Sequence, residues 1–265
     1  MTNFTQSARA KFLVSAVALL SLAACGGGGG GGGGGNGAGS EISVSGTAAK
    51  GAVLVGANIA MTCANGANLT GSTNGTGSYT TNKVAITYPC IGTATLNSLK
   101  YRGILFSASS ANFTPLTDML VQTTLAASAS GSGALTIDQF IAKIRSDSTF
   151  AANVSSSSAV ESYRKAVLAV VKAQLIASGL TAAQADNILA AAGNFDSAAF
   201  TVGSPLDLVL DNTAAVLQNP DGSVKAAILA LAQAAGDLLP TPGSSGGTGG
   251  TGGTGGTGGT GGTGG

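Results

Sequence analysis

The side chains with the greatest capacity for chemistry here are three cysteines, Cys25, Cys63 and Cys90, in a chain that has no histidine at all. A thiolate is a nucleophile and a metal ligand. The absent imidazole rules out Ser-His-Asp and Cys-His catalysis within the chain and removes the commonest zinc ligand. Two other spacings invite a chemical reading. Ser162-Tyr163-Arg164-Lys165 has the S-x-x-K form, in which a lysine stands near a serine nucleophile. Such catalysts also need S-D-N-like and K-T-G-like elements, and neither occurs, so Lys165 is read as a solvated helix residue. Asp207 and Asp211 stand i, i+4 and could face a hard cation, but calcium takes six or more oxygen ligands. Asp207 is better read as a third-position carboxylate favouring a helix N-terminus. No G-x-x-x-x-G-K-[ST] phosphate loop is present. The sequence therefore nominates no catalytic residue, no metal ligand and no cofactor.

Cys25 has a chemistry of its own. A basic opening with Arg9 and Lys11 is followed by the apolar run Phe12–Ala24, too short for a stable transmembrane helix but shaped like an export signal. It ends Leu22-Ala23-Ala24-Cys25-Gly26. This resembles the bacterial lipobox, which implies cleavage before Cys25, a diacylglyceryl thioether on its sulfur and a palmitate-type acyl group on the new amine. One acyl chain holds a membrane marginally, and two or three hold it stably. Gly26, rather than Asp, follows the cysteine, which by the same resemblance implies the outer membrane, with the protein facing the periplasm or the surface.

Lipidation of Cys25 leaves Cys63 and Cys90 as an even pair. In an oxidising compartment the expectation is a disulfide; two free buried thiols or a metal pair are the rival readings. The overall charge is close to balanced, with 12 Lys plus Arg against 11 Asp plus Glu. No basic patch points to nucleic acid, and no polybasic run points to anionic lipid.

Composition divides the chain. Residues 1–24 are the expected lipoprotein signal peptide. Residues 25–40 are the lipidated cysteine and a nearly pure glycine tether, with an r.m.s. span of about 20 Å. Residues 241–265 are mostly a Gly-Gly-Thr repeat, expected to be disordered because nothing in it can form a core. Between the ends, 41–110 reads as strands and 111–240 as helices. The expected fold class is α+β in two domains: a small antiparallel β-sandwich followed by an α-helical bundle, with disordered Gly-rich ends.

In the strand region, Ala57, Ile59, Met61 and Cys63 share one face of an alternating run, and Asn65-Gly66 and Asn74-Gly75 signal turns. Ile42–Ser45, Gly77–Thr81, Val84–Tyr88, Ala94–Leu96 and Tyr101–Phe106 supply further short strands. The run Val44-Ser45-Gly46-Thr47-Ala48-Ala49-Lys50-Gly51-Ala52, then Gly56-Ala57-Asn58-Ile59, then Gly77-Ser78-Tyr79, resembles carboxypeptidase regulatory-like (transthyretin-like) β-sandwich domains. That resemblance covers roughly a quarter of the chain. A cysteine pair placed like Cys63 and Cys90 is similar to versions in proteobacterial lipoproteins. The family implies a fold and an accessory or adhesive role, with no catalytic residue to carry over.

In the helical region, Thr114-Pro115 is an N-cap followed by proline at the first helical position. Thr136–Gln139 and Ser158–Glu161 have capping-box form. Val160, Tyr163, Val167, Val170, Val171 and Leu175 form the longest apolar stripe, and Gly179 suits its end. Helices are also expected from Thr181, from Ser204-Pro205 and over about 223–239. Taken together, the sequence predicts a non-enzymatic, lipid-anchored cell-envelope protein. Its partner is the membrane through Cys25, and a protein or carbohydrate ligand is left open. The alternatives are a spacer lipoprotein, in which the Gly-rich stretches matter most, and an enzyme using Lys, Tyr or carboxylates.

Overall fold

The computed structural model describes residues 41–131 and 133–243. Cys25, the signal segment, the glycine tether and the tail beyond 243 lie outside these residues, as do the expectations placed on them.

The molecule is α+β, with small antiparallel sheets in its first part and helices in its second. The strands are β1 (Glu41–Ile42), β2 (Ser45–Thr47), β3 (Asn58–Cys63), β4 (Asn68–Ser72), β5 (Ser78–Thr80), β6 (Val84–Ala85), β7 (Cys90–Leu96) and β8 (Leu99–Leu105). The four-stranded sheet has the order β4-β3-β7-β8; β1 pairs with β6 and β2 with β5. The alternation read from the sequence is the alternation of burial: Ala57, Ile59, Met61 and Cys63 are all buried. The Asn65-Gly66 turn joins β3 to β4, with Gly66 at φ +82° closing onto the Cys63 carbonyl. The β7–β8 hairpin turns at Asn97-Ser98, where Asn97 takes φ +54°, one of the few side chains that tolerate this. Strand β4 and the first half of β7 escape the sequence pattern because Gly and Thr interrupt the apolar positions in both.

The helices are α1 (Pro115–Ala127), α2 (Ile137–Ser146), α3 (Ser148–Val154), α4 (Ser157–Ala177), α5 (Ala182–Leu189), α6 (Pro205–Leu217) and α7 (Ala226–Asp237). Helix α1 has the expected Thr114 cap and Pro115 start. It shows no single apolar stripe, because it is covered on nearly all sides by β8, α4, α6 and α7. Its threonines are satisfied internally: Thr117 donates to the Arg102 carbonyl at 2.9 Å, Thr123 to Ala232 at 3.0 Å and Thr124 to Leu120 at 2.8 Å. Gly236 lets α7 lie against α1, since a Cβ there would run into the Thr123 carbonyl and stand 2.8 Å from the Ala126 methyl. Helix α3, too short to show a stripe, starts on an Asp147 cap that accepts from the Phe150 N–H. Helix α7 begins at Ala226, later than expected, with no side-chain cap.

The strand part and the helical part contribute to one hydrophobic cluster running from Val44 to Ala232. Segment 109–113 runs beside β2, trading backbone bonds with Ser45 and Thr47. Asn112 completes the join. Its side-chain oxygen accepts from Thr47 N, its amide donates to the Phe195 and Ala198 carbonyls, and its backbone N–H donates to Asp196 O. Asp196 in turn holds Arg164 of α4 through two charge-assisted bonds of 2.7 and 2.8 Å. One asparagine and one ion pair thus connect β2, the 194–198 loop and α4.

Candidate functional site

Cys63 and Cys90 form a disulfide between directly opposed positions of β3 and β7, and both are fully buried. The S-x-x-K residues are engaged elsewhere. Ser162 donates to the Ser158 carbonyl at 2.8 Å, and Lys165 lies 2.6 Å from the Glu161 carboxylate on an exposed face. That pairing lowers the Glu161 pKa below the usual carboxylate range. Glu161 does not take the capping role the sequence suggested. The cap is Ser156, whose Oγ accepts from the Ala159 N–H, so α4 begins at Ser157. Asp207 and Asp211 part company. Asp207 is buried and accepts from Gly203 N at 2.7 Å at the start of α6, whereas Asp211 is exposed. Among the described residues no group of three or more Cys, Asp or Glu is placed to hold a metal ion. Nor is any described helix long and apolar enough to cross a membrane.

The basic side chains that border clefts are mostly consumed by the fold. Lys225 donates to the Ala215 and Val216 carbonyls, closing the C-terminal end of α6, and Lys50 reaches the Asp221 carbonyl. Arg102 is held by Asp118 at 2.5 Å and by Gln122 at 3.0 Å.

The cleft at the N-terminus of α4 is built differently. Serines 155–158 break α3 from α4, because serine hydroxyls compete for local backbone groups and suit helix starts. Ser156 donates to the Asn153 carbonyl at 2.8 Å while capping α4. The N–H of Ser158, in the first turn and on the cleft's lining, has no intrahelical acceptor. Across from it runs the segment leaving α7, with Leu239, Pro240 and Pro242 forming an apolar wall. Thr241 donates to Ala129 O at 3.5 Å, so the first residues of the expected tail lie against the body. The cleft is open to solvent, its volume is about 300 Å³, and no charged side chain lines it.

Tyr163 also forms part of this wall. Its ring stacks on Phe106 at 5.9 Å, the residue is 1% exposed, and its hydroxyl, itself buried, has no hydrogen-bond partner among the described residues. Burial raises its pKa, so it stays a neutral donor. By contrast, the other buried phenols are paired: Tyr79 donates to Ala111 O at 2.6 Å and Tyr101 to Gly222 O. The sequence marks Tyr163 as inward-facing, but nothing in it reveals that the hydroxyl lacks an acceptor.

No family model matches this chain, and neither the curated proteins nor the solved structures contain a match.

Proposed function

We propose that this chain is a lipid-anchored protein of the bacterial cell envelope, held to the outer membrane through Cys25 and acting as a non-enzymatic binding module. The observation that carries this reading is the Cys63–Cys90 disulfide. Disulfides persist in exported proteins and are rare in the cytosol. The pairing also leaves Cys25, at the end of a lipobox-like Leu-Ala-Ala-Cys, as the odd cysteine. The glycine tract that follows suits a tether between a lipid anchor and a body that begins at Glu41.

Part of the same proposal is that residues 41–110 form a carboxypeptidase regulatory-like sandwich and 111–240 a helical bundle. The Gly-Ala-Asn-Ile entry into β3, the Gly-Ser-Tyr strand β5 and the opposed cysteines favour it. The role implied is accessory: the body presents a binding surface, and the anchor sets where it does so.

Fractionation tests the reading. The wild-type chain is expected in the outer-membrane fraction and released only by detergent, and Cys25→Ser in the soluble or inner-membrane fraction. A wild-type chain recovered free in the periplasm or cytosol would contradict it.

A further inference from the structure

We propose that the cleft beside the β7–β8 hairpin binds a sugar acid, a small hydroxylated monocarboxylate, with Lys100 and Arg102 taking its carboxylate and Asp118 accepting from its hydroxyls. This rests on the reading of the chain as a binding module and names the ligand class of that module.

Lys100 and Arg102 stand two residues apart on β8, so their side chains leave the same face of the sheet, while Tyr101 between them is fully buried on the other. Thr93 of β7 is directly opposite Arg102. These three line the cleft with Ser98 of the hairpin turn and Asp118 of α1. Arg102 is fixed from α1. Its Nε donates to Asp118 Oδ1 at 2.5 Å and its Nη1 to Gln122 at 3.0 Å, and Gln122 in turn donates to Gln233 of α7 at 3.1 Å. Those bonds leave Nη2 with no hydrogen-bond partner among the described residues, and unlike the Tyr163 hydroxyl it is not sealed from solvent. A guanidinium already held on two nitrogens loses little rotamer freedom when the third meets a ligand. Lys100 is exposed and has no ion pair among the described residues. The lining therefore carries two cations against one carboxylate, an excess of one positive charge.

The ligand chemistry follows from that balance. One carboxylate matches the excess charge and the planar guanidinium, whereas a phosphate dianion would face Asp118 with only partial compensation. Asp118 adds a second requirement. Its Oδ1 accepts twice from Arg102, and its Oδ2 accepts no hydrogen bond among the described residues and is likewise not sealed. A ligand with hydroxyls beside its carboxylate can donate to that oxygen; a fatty acid cannot. The Thr93 and Ser98 hydroxyls hold no partner among the described residues and can donate or accept. Ser223, also on the lining, is already engaged by Asp221 and Asn219. Ile137, Val224 and Leu229 offer aliphatic surface for the C–H face of a sugar ring. The volume of about 560 Å³ lies within the range of small-molecule sites.

The test is an amide NMR titration of the full chain with sodium glucuronate, with glucose and sodium acetate as comparisons. Glucuronate is expected to shift the amides of Thr93, Ser98, Lys100 and Arg102 saturably. Glucose lacks the carboxylate and acetate lacks the hydroxyls, so each should bind about tenfold more weakly or worse. Lys100→Glu should weaken glucuronate binding about tenfold or more, and because Lys100 is exposed the variant should melt like the wild type. Lys83→Glu makes the same charge change at an exposed position outside the cleft and should bind like the wild type. Four outcomes would each overturn the proposal: no saturable shift with glucuronate, comparable affinity for glucose or acetate, unchanged binding in Lys100→Glu, or an equal loss in Lys83→Glu. The titration does not involve Cys25, so its failure would leave the anchoring result untouched.

Discussion

The two parts of the molecule are held in register by different means. In the strand part, position follows from local pattern: β3 alternates, its buried residues all face one way, and the Cys63–Cys90 bond fixes β3 against β7. A one-residue slip would turn every buried residue outward. In the helical part, local caps and stripes set the elements, but their placement depends on what surrounds them. Helix α1 is buried all round, and α4 is tied to the strands by the Asn112–Asp196–Arg164 junction rather than by its own stripe alone. The lesson is that local alternation and a covalent bond secure one part, while the other depends on a few polar residues far apart in sequence.

That contrast can be broken from either side. The largest expected effect comes from replacing Cys63 and Cys90 together with alanine. Freeing a crosslink of sequence separation 27 should cost about 3–4 kcal/mol by denaturant unfolding. Hydrogen exchange should then rise first in β3 and β7. Asp196→Ala follows, at about 3 kcal/mol, since it strips the partner from Arg164, whose side chain is only 21% exposed. Because the two parts share one hydrophobic cluster, both variants should still melt in a single transition by calorimetry. Two separated transitions would show that the shared cluster does not couple them. Gly236→Ala should cost about 2 kcal/mol by forcing α7 away from the Thr123 carbonyl of α1.

The smallest effect per residue is alkaline. Tyr79, Tyr101 and Tyr163 all have pKa values raised by burial, from an ordinary value of 10.0. The unfolded chain loses these protons first, so the stabilising contribution is whole below about pH 10 and declines above it. Each phenol contributes a loss of about 1.4 kcal/mol per pH unit. A stability curve flat between pH 10 and 11 would contradict this burial.

Much of this architecture was legible in residue order. The face carrying Ile59, Met61 and Cys63, the Asn65-Gly66 turn, the Thr114 cap and the stripe through Val167 and Val171 are where their spacing puts them. Short pieces without a strong pattern were not legible: Asn68–Ser72 is polar and Gly-containing, and Ser148–Val154 is less than two full turns long. The start of α4 was misplaced: Ser158–Glu161 has capping-box spacing, but Ser156 caps the helix and Glu161 pairs with Lys165 instead. The candidate site was the least legible part. Tyr163 has the spacing of a core residue, and only the approach of Pro240 and Pro242 creates a cleft beside it.

The intact mass of the chain extracted from membranes, measured beside the Cys25→Ser form, tests the central claim most directly. The expected mass begins at Cys25 and is increased by a diacylglyceryl group and an amide-linked acyl chain, with the lipid increment absent from the serine form. A wild-type mass without lipid would contradict it.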